Sequence, residues 1–112
     1  MSSVNFASLE EFLGGNKIRM LEIFEMFLRL GETWVADLDS DGADWRRLVH
    51  TVKGVAGTLG AGRLDEACRA AELEGPEVLG RVRCELQLAL ADVATYVESA
   101  RRETRASTAA AA

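Results

Sequence analysis

Apolar residues recur at intervals of three and four along most of this chain, the pattern of helices that each bury one face. Phe6, Leu9, Phe12 and Leu13 give residues 1–13 a short apolar side. Ser8 is expected to cap that helix, with Glu11 three positions later as in a capping box. Gly14-Gly15 should stop it, and Asn16 is placed to cap the next. The second helix is predicted from Lys17 to Leu38. Leu21, Phe24, Leu28, Gly31, Val35 and Leu38 form one stripe, and Ile23, Phe27, Leu30 and Trp34 form a second beside it. So broad a face either packs against two neighbours or leaves an edge for a partner. Asp39-Ser40-Asp41-Gly42 reads as a turn. A third helix is expected from Ala43 to Leu59, stopped by Gly60-Ala61-Gly62. A fourth follows from Arg63 to Glu74, with Leu64, Ala67, Cys68 and Ala71 inward. Gly75 and Pro76 punctuate the entry to a fifth helix, Glu77 to Arg101, whose core side is Leu79, Val82, Leu86, Leu90, Val93 and Val97. Residues 102–112 are rich in Ala, Ser, Thr and Arg and lack a stripe, so this tail should fray or continue as exposed helix. Short connections make successive helices antiparallel. The expected fold is all-α: an up-down-up-down four-helix bundle over residues 1–101, with a short extra N-terminal helix and a C-terminal tail.

Composition agrees with this picture and narrows the function. The chain has 112 residues, 48% hydrophobic and 28% charged, which suits one globular domain with a single core. Its net charge of -5 argues against nucleic-acid binding, which needs a basic surplus. No apolar stretch is long enough to cross a bilayer, and Met1-Ser2-Ser3-Val4-Asn5 does not resemble a signal peptide. Cys68 and Cys84 stand in no metal-ligand spacing, and a reduced, cytoplasmic setting is expected.

The third helix holds the only candidate chemistry. At about 100° per residue, Trp45, Val49, Val52, Ala56 and Leu59 share one side, with Leu48 at its edge. His50, the only histidine in the chain, then points roughly 150° away from that stripe, toward water. Gly54 and Gly57 lie one and two turns further along the same outer side. Each costs about 1 kcal/mol in a helix relative to Ala. Packing gives no reason for that cost on a solvent face, whereas access for a large, convex partner does. Arg46 and Arg47 one turn earlier and Lys53 three residues later add positive charge. A nucleophile, open space and cations therefore coincide.

The run His50-Thr51-Val52-Lys53-Gly54-Val55-Ala56-Gly57-Thr58-Leu59-Gly60-Ala61 resembles the signature of histidine-containing phosphotransfer (HPt) domains. The likeness continues through Leu64, Ala67 and Glu72-Leu73-Glu74, and covers about residues 5–100. It implies that His50 is the phosphoacceptor, modified on its outer ring nitrogen. Lys53 would neutralise the phosphoryl oxygens, and Gly54 would be kept bare for access. Gly57 falls where the family often has a small residue. By count, Glu72 matches the place from which a polar side chain on the fourth helix reaches the inner ring nitrogen. Arg46 and Arg47 are an unusually basic pair before the histidine and are candidates for partner choice.

The resemblance implies a carrier that passes a phosphoryl group between aspartates of response-regulator receiver domains, with a hybrid sensor histidine kinase as a further candidate partner. It would act as a monomer with no cofactor of its own. The divalent metal, Mg, would come from the receiver. Glycine-rich nucleotide motifs are absent from the chain, so self-phosphorylation from ATP is not expected. The docking surface is expected on an edge of the second helix, either Phe27, Leu30 and Trp34 or Met20 and Ile23. Cys84 and Leu88 share the outer face of the fifth helix and are candidates for a weak self-contact. The alternatives are a non-catalytic adaptor that binds receivers without accepting phosphate, a metal-binding bundle and a plain oligomerisation domain. A metal-binding bundle needs ExxH pairs, and position 47 is Arg.

Overall fold

The computed structural model describes residues 4–39 and 44–111. Among these, the chain forms α1 (Phe6–Phe12), α2 (Lys17–Leu38), α3 (Trp45–Leu59), α4 (Gly62–Glu74) and α5 (Leu79–Ala111), with a single 3-10 turn at Pro76–Val78. No strand occurs among the described residues. The architecture is the expected antiparallel four-helix bundle with a short N-terminal helix across one end. Packing runs α2 on α5, α5 on α4 and α4 on α3, and a lighter α2–α3 seam closes the ring. No helix of the described residues is long and apolar enough to cross a membrane.

The helix ends follow local chemistry. The Asn16 side chain accepts the Arg19 N–H at 3.1 Å and caps α2. Asp44 does the same for α3 through the Arg47 N–H, so α3 starts after Asp44 and not at Ala43, which lies outside the described residues with the rest of the turn after Asp39. Ser8 is not a cap. The first helix begins at Phe6, and the Asn5 carbonyl already accepts the Leu9 N–H. Gly60 ends α3 with φ +69°, a left-handed conformation that side chains resist. Its carbonyl accepts the Asn5 N–H at 3.1 Å and so ties the N-terminal segment to the α3–α4 turn. The fifth helix starts at Leu79, after the 3-10 turn led by Pro76. It continues without a break past Arg101 to Ala111. Alanine has the best helix propensity, and no Gly or Pro interrupts the segment.

The core is one cluster. Met20, Phe24, Val49, Val52, Ala56, Ala67, Cys68, Ala71, Val82, Leu86, Ala89 and Val93 are fully buried. One end is closed by three rings: Phe6 stacks on Tyr96 at 4.6 Å, and both meet Phe24 edge-on. At Gly31, α2 and α5 approach so closely that a Cβ would collide with the Leu90 side chain. Among the described residues, Glu85 is the one charged residue that is buried. Arg63 donates to its Oε1 at 3.2 Å, and Oε2 has no hydrogen-bond partner.

These glycines should respond in opposite directions. Gly54→Ala and Gly57→Ala add a methyl into open space and should each stabilise the protein by about 1 kcal/mol in denaturant unfolding. Gly31→Val drives branches into Leu90 and should destabilise it by about 1–3 kcal/mol. A neutral Gly31→Val would contradict the close α2–α5 crossing.

Candidate functional site

The site is built on the outer face of α3, and the core fixes where that face points. With Val49, Val52, Ala56 and Leu59 buried, His50 is turned outward, its side chain 77% exposed. Nothing stands within 4 Å of a Cβ placed on Gly54 or Gly57, so the helix beyond the imidazole is open.

On one flank, α4 supplies a carboxylate. Glu72 Oε1 lies 3.9 Å from His50 Nδ1, too far for a hydrogen bond, so Nδ1 is the ring nitrogen that faces α4. The same carboxylate is held by Lys53, whose Nζ is 3.0 Å from Oε1 and 3.1 Å from Oε2. The Lys53 side chain is only 24% exposed, so this ion pair is partly withdrawn from water. Beneath it is Cys68, one turn before Glu72 on α4. Burial pushes its thiol from the ordinary 9.0 up to about 12; Asp65 and Glu72 add to the rise, and Lys53 opposes it.

On the other flank is an apolar cleft of about 530 Å³ between α2 and α3. Ile23, Met26, Phe27 and Leu30 line it from α2; Gly54, Val55 and Thr58 line it from α3, with His50 at its edge. The Thr51 and Thr58 hydroxyls are spent on the Arg47 and Gly54 carbonyls of their own helix, so they add little polarity.

The remaining expected residues divide. Arg46 stacks over Trp45, 4.9 Å from the ring centroid, an exposed cation on an aromatic face. Arg47 lines a separate cleft of about 290 Å³ with Thr33, Asp37 and Asp44. Leu30 and Ile23 reach the cleft beside His50, which brings together parts of the two edges set apart in the sequence. Three residues of those edges are not exposed docking side chains. Met20 is fully buried, Trp34 is buried against Phe27, and Phe27 serves only as cleft floor. The broad face of α2 is spent on two neighbours at these positions. Met26, half exposed in the cleft, was missed; its spacing from Ile23 and Leu30 was the available signal. Cys84 and Leu88 are both exposed on α5. Among the described residues, no group of three or more His, Cys, Asp or Glu side chains could hold a metal.

An exposed imidazole on a bundle helix, with glycines ahead of it and a lysine beside it, defines a phosphotransfer class of helical domain. Comparison with known proteins agrees. Residues 19–110 match the family profile of the Hpt domain, and the chain belongs to that family. A crystal structure of the histidine phosphotransferase ShpA from Caulobacter crescentus superposes with a TM-score of 0.83 at 36% sequence identity, covering 92% of this chain and 98% of that one. No curated protein matches the chain. Family membership places the protein in phosphotransfer within two-component signalling, where Hpt domains interact with receiver domains and kinases.

The two thiols should separate cleanly. A thiol reagent at neutral pH should titrate Cys84 in the native protein and Cys68 only after denaturation. Because folding raises the Cys68 value, its stabilising contribution is complete below pH 9.0 and is lost as pH climbs toward about 12. The unfolded chain releases this proton first, so stability should fall by up to about 1.4 kcal/mol per pH unit in that window. Cys68→Ala should flatten that slope in alkaline denaturation curves.

Proposed function

We propose that this protein carries a phosphoryl group on Nε2 of His50 between aspartates of response-regulator receiver domains in a cytoplasmic phosphorelay, with a hybrid sensor histidine kinase among its partners. The observation that carries the reading is the 77% exposed imidazole on a helix whose next two outward positions, Gly54 and Gly57, are bare. A receiver must bring a recessed aspartyl phosphate to the nucleophile, and only a flat or convex site permits that approach.

The transfer is in line. The Nε2 lone pair forms the P–N bond as the P–O bond to the receiver aspartate breaks, and its electron pair returns to the carboxylate. The ring proton stays on Nδ1, the nitrogen that faces Glu72. Phosphoryl transfer demands position and charge stabilisation above all, because its transition state is loose and anionic. Lys53 is the nearest ammonium and serves the equatorial oxygens. The divalent metal that completes the charge balance belongs to the receiver. The apolar cleft beside His50 is the docking surface: Met26 and Leu30 are exposed there, and water leaves it when a receiver's apolar side chains enter. Passage to a second receiver is the same reaction reversed.

Incubation with a phosphorylated receiver should give an acid-labile, base-stable adduct of one phosphoryl group. His50→Gln should abolish it, and Lys53→Ala should slow transfer by about 10²-fold. Gly54→Leu should fold normally by circular dichroism and still fail to accept. Label that persists on His50→Gln rejects the site, and a receiver that binds without transferring identifies an adaptor.

A further inference from the structure

Lys53 is not free in the resting protein. Both Glu72 oxygens hold its ammonium, at 3.0 and 3.1 Å. Glu72 Oε1, meanwhile, stops 3.9 Å from His50 Nδ1, about 1 Å beyond hydrogen-bond reach. One carboxylate thus stands between two claimants and is fully engaged with only one. Among the described residues, the charged side chains nearby are engaged elsewhere. Arg46 is turned onto Trp45, Arg47 lines a different cleft, and the α2 side chains that line the cleft next to His50 are all apolar. Behind Glu72 on α4, Asp65 is itself paired with Arg69 at 3.0 Å.

We propose that Glu72 is a positioning residue that acts through Lys53 by exchanging partners: it clasps Lys53 while His50 is unmodified, and on phosphorylation it yields Lys53 to the phosphoryl oxygens and closes on the Nδ1–H. The inference rests on the carrier reading of His50. Its driving force is charge. The phosphoryl group brings two negative charges to Nε2, and the ring becomes an imidazolium that keeps its proton on Nδ1. A lysine leaving one carboxylate for a dianion gains, and a carboxylate losing its lysine gains as well, because the Nδ1–H it faces now belongs to a cationic ring. The two moves support each other, because neither ion is left unpaired in a partly desolvated site. The clasp also holds the lysine ammonium at Glu72, poised next to the reaction and not dispersed in solvent.

The test bypasses any partner. Phosphoramidate transfers its phosphoryl group to an exposed imidazole: the new bond forms from Nε2 as the P–N bond to ammonia breaks and ammonia leaves with the electron pair. The Lys53 Nζ resonance of the full chain is recorded by nitrogen NMR before and after this step, in the native protein and in Glu72→Gln. Before phosphorylation, Glu72→Gln should move the Nζ resonance. After it, native and variant resonances should coincide, and the Lys53 amino protons should show coupling to phosphorus. The native Glu72 carboxyl carbon should shift on phosphorylation, and Lys53→Ala should abolish that part of the change due to the lost ammonium. A Nζ resonance that phosphorylation leaves unmoved, or one as sensitive to Glu72→Gln afterward as before, overturns the exchange. Failure of a phosphorylated receiver to load His50 would instead refute the carrier reading, and the two failures are read in separate experiments.

Discussion

One helix has to satisfy two opposite demands, and the rest of the molecule follows from that. Val49, Val52, Ala56 and Leu59 of α3 are sealed from water, while its outer face beyond His50 is bare at Gly54 and Gly57. The imidazole cannot turn inward without exposing Val49 or Val52, so core packing sets its direction as firmly as any hydrogen bond would. Bare helix is intrinsically weak, and the burial behind it offsets the loss. This is why the small residues Ala56, Ala67 and Ala71 matter: they are wholly buried and let α3 and α4 lie close together. That proximity is what brings Glu72 to Lys53.

The remaining elements hold this pair in place. Gly60 turns the chain back sharply and receives the Asn5 N–H, so the short first helix is tied to the same corner. The Phe6–Phe24–Tyr96 rings then fasten α1 to α2 and α5. At the opposite end Arg83 pairs with Asp39 across the α2–α5 seam. Arg63 reaches from the start of α4 to Glu85 on α5 and fixes the register of the helix that carries Glu72.

Periodicity and punctuation carried most of the architecture. Asn16, Gly60 and the inward set of α4 could be read directly, because caps and stripes are local features. The coincidence of His50, Lys53, Gly54 and Gly57 on one side of a helix was legible for the same reason. What failed was what depends on neighbours. Phe27, Met20 and Trp34 were indistinguishable from docking residues, since a doubly apolar face looks the same whether one or two helices cover it. Ser8 was mistaken for a cap because the first helix starts two residues earlier, where Asn5 supplies a backbone acceptor. The Lys53–Glu72 clasp joins residues nineteen apart on different helices, and no helical period reports it. Glu85 defied the rule that carboxylates face water, and only Arg63 explains its place.

The two flanks of His50 are unlike. To one side lies a greasy trough formed by Ile23, Met26 and Leu30; to the other, a charged couple. A visitor rotated half a turn about the ring would press its oily patch onto ions and its polar rim into the trough, an arrangement penalised twice over. The asymmetry therefore gives the surface a direction: a body that carries one oily and one polar side fits it in one bearing better than in the reverse.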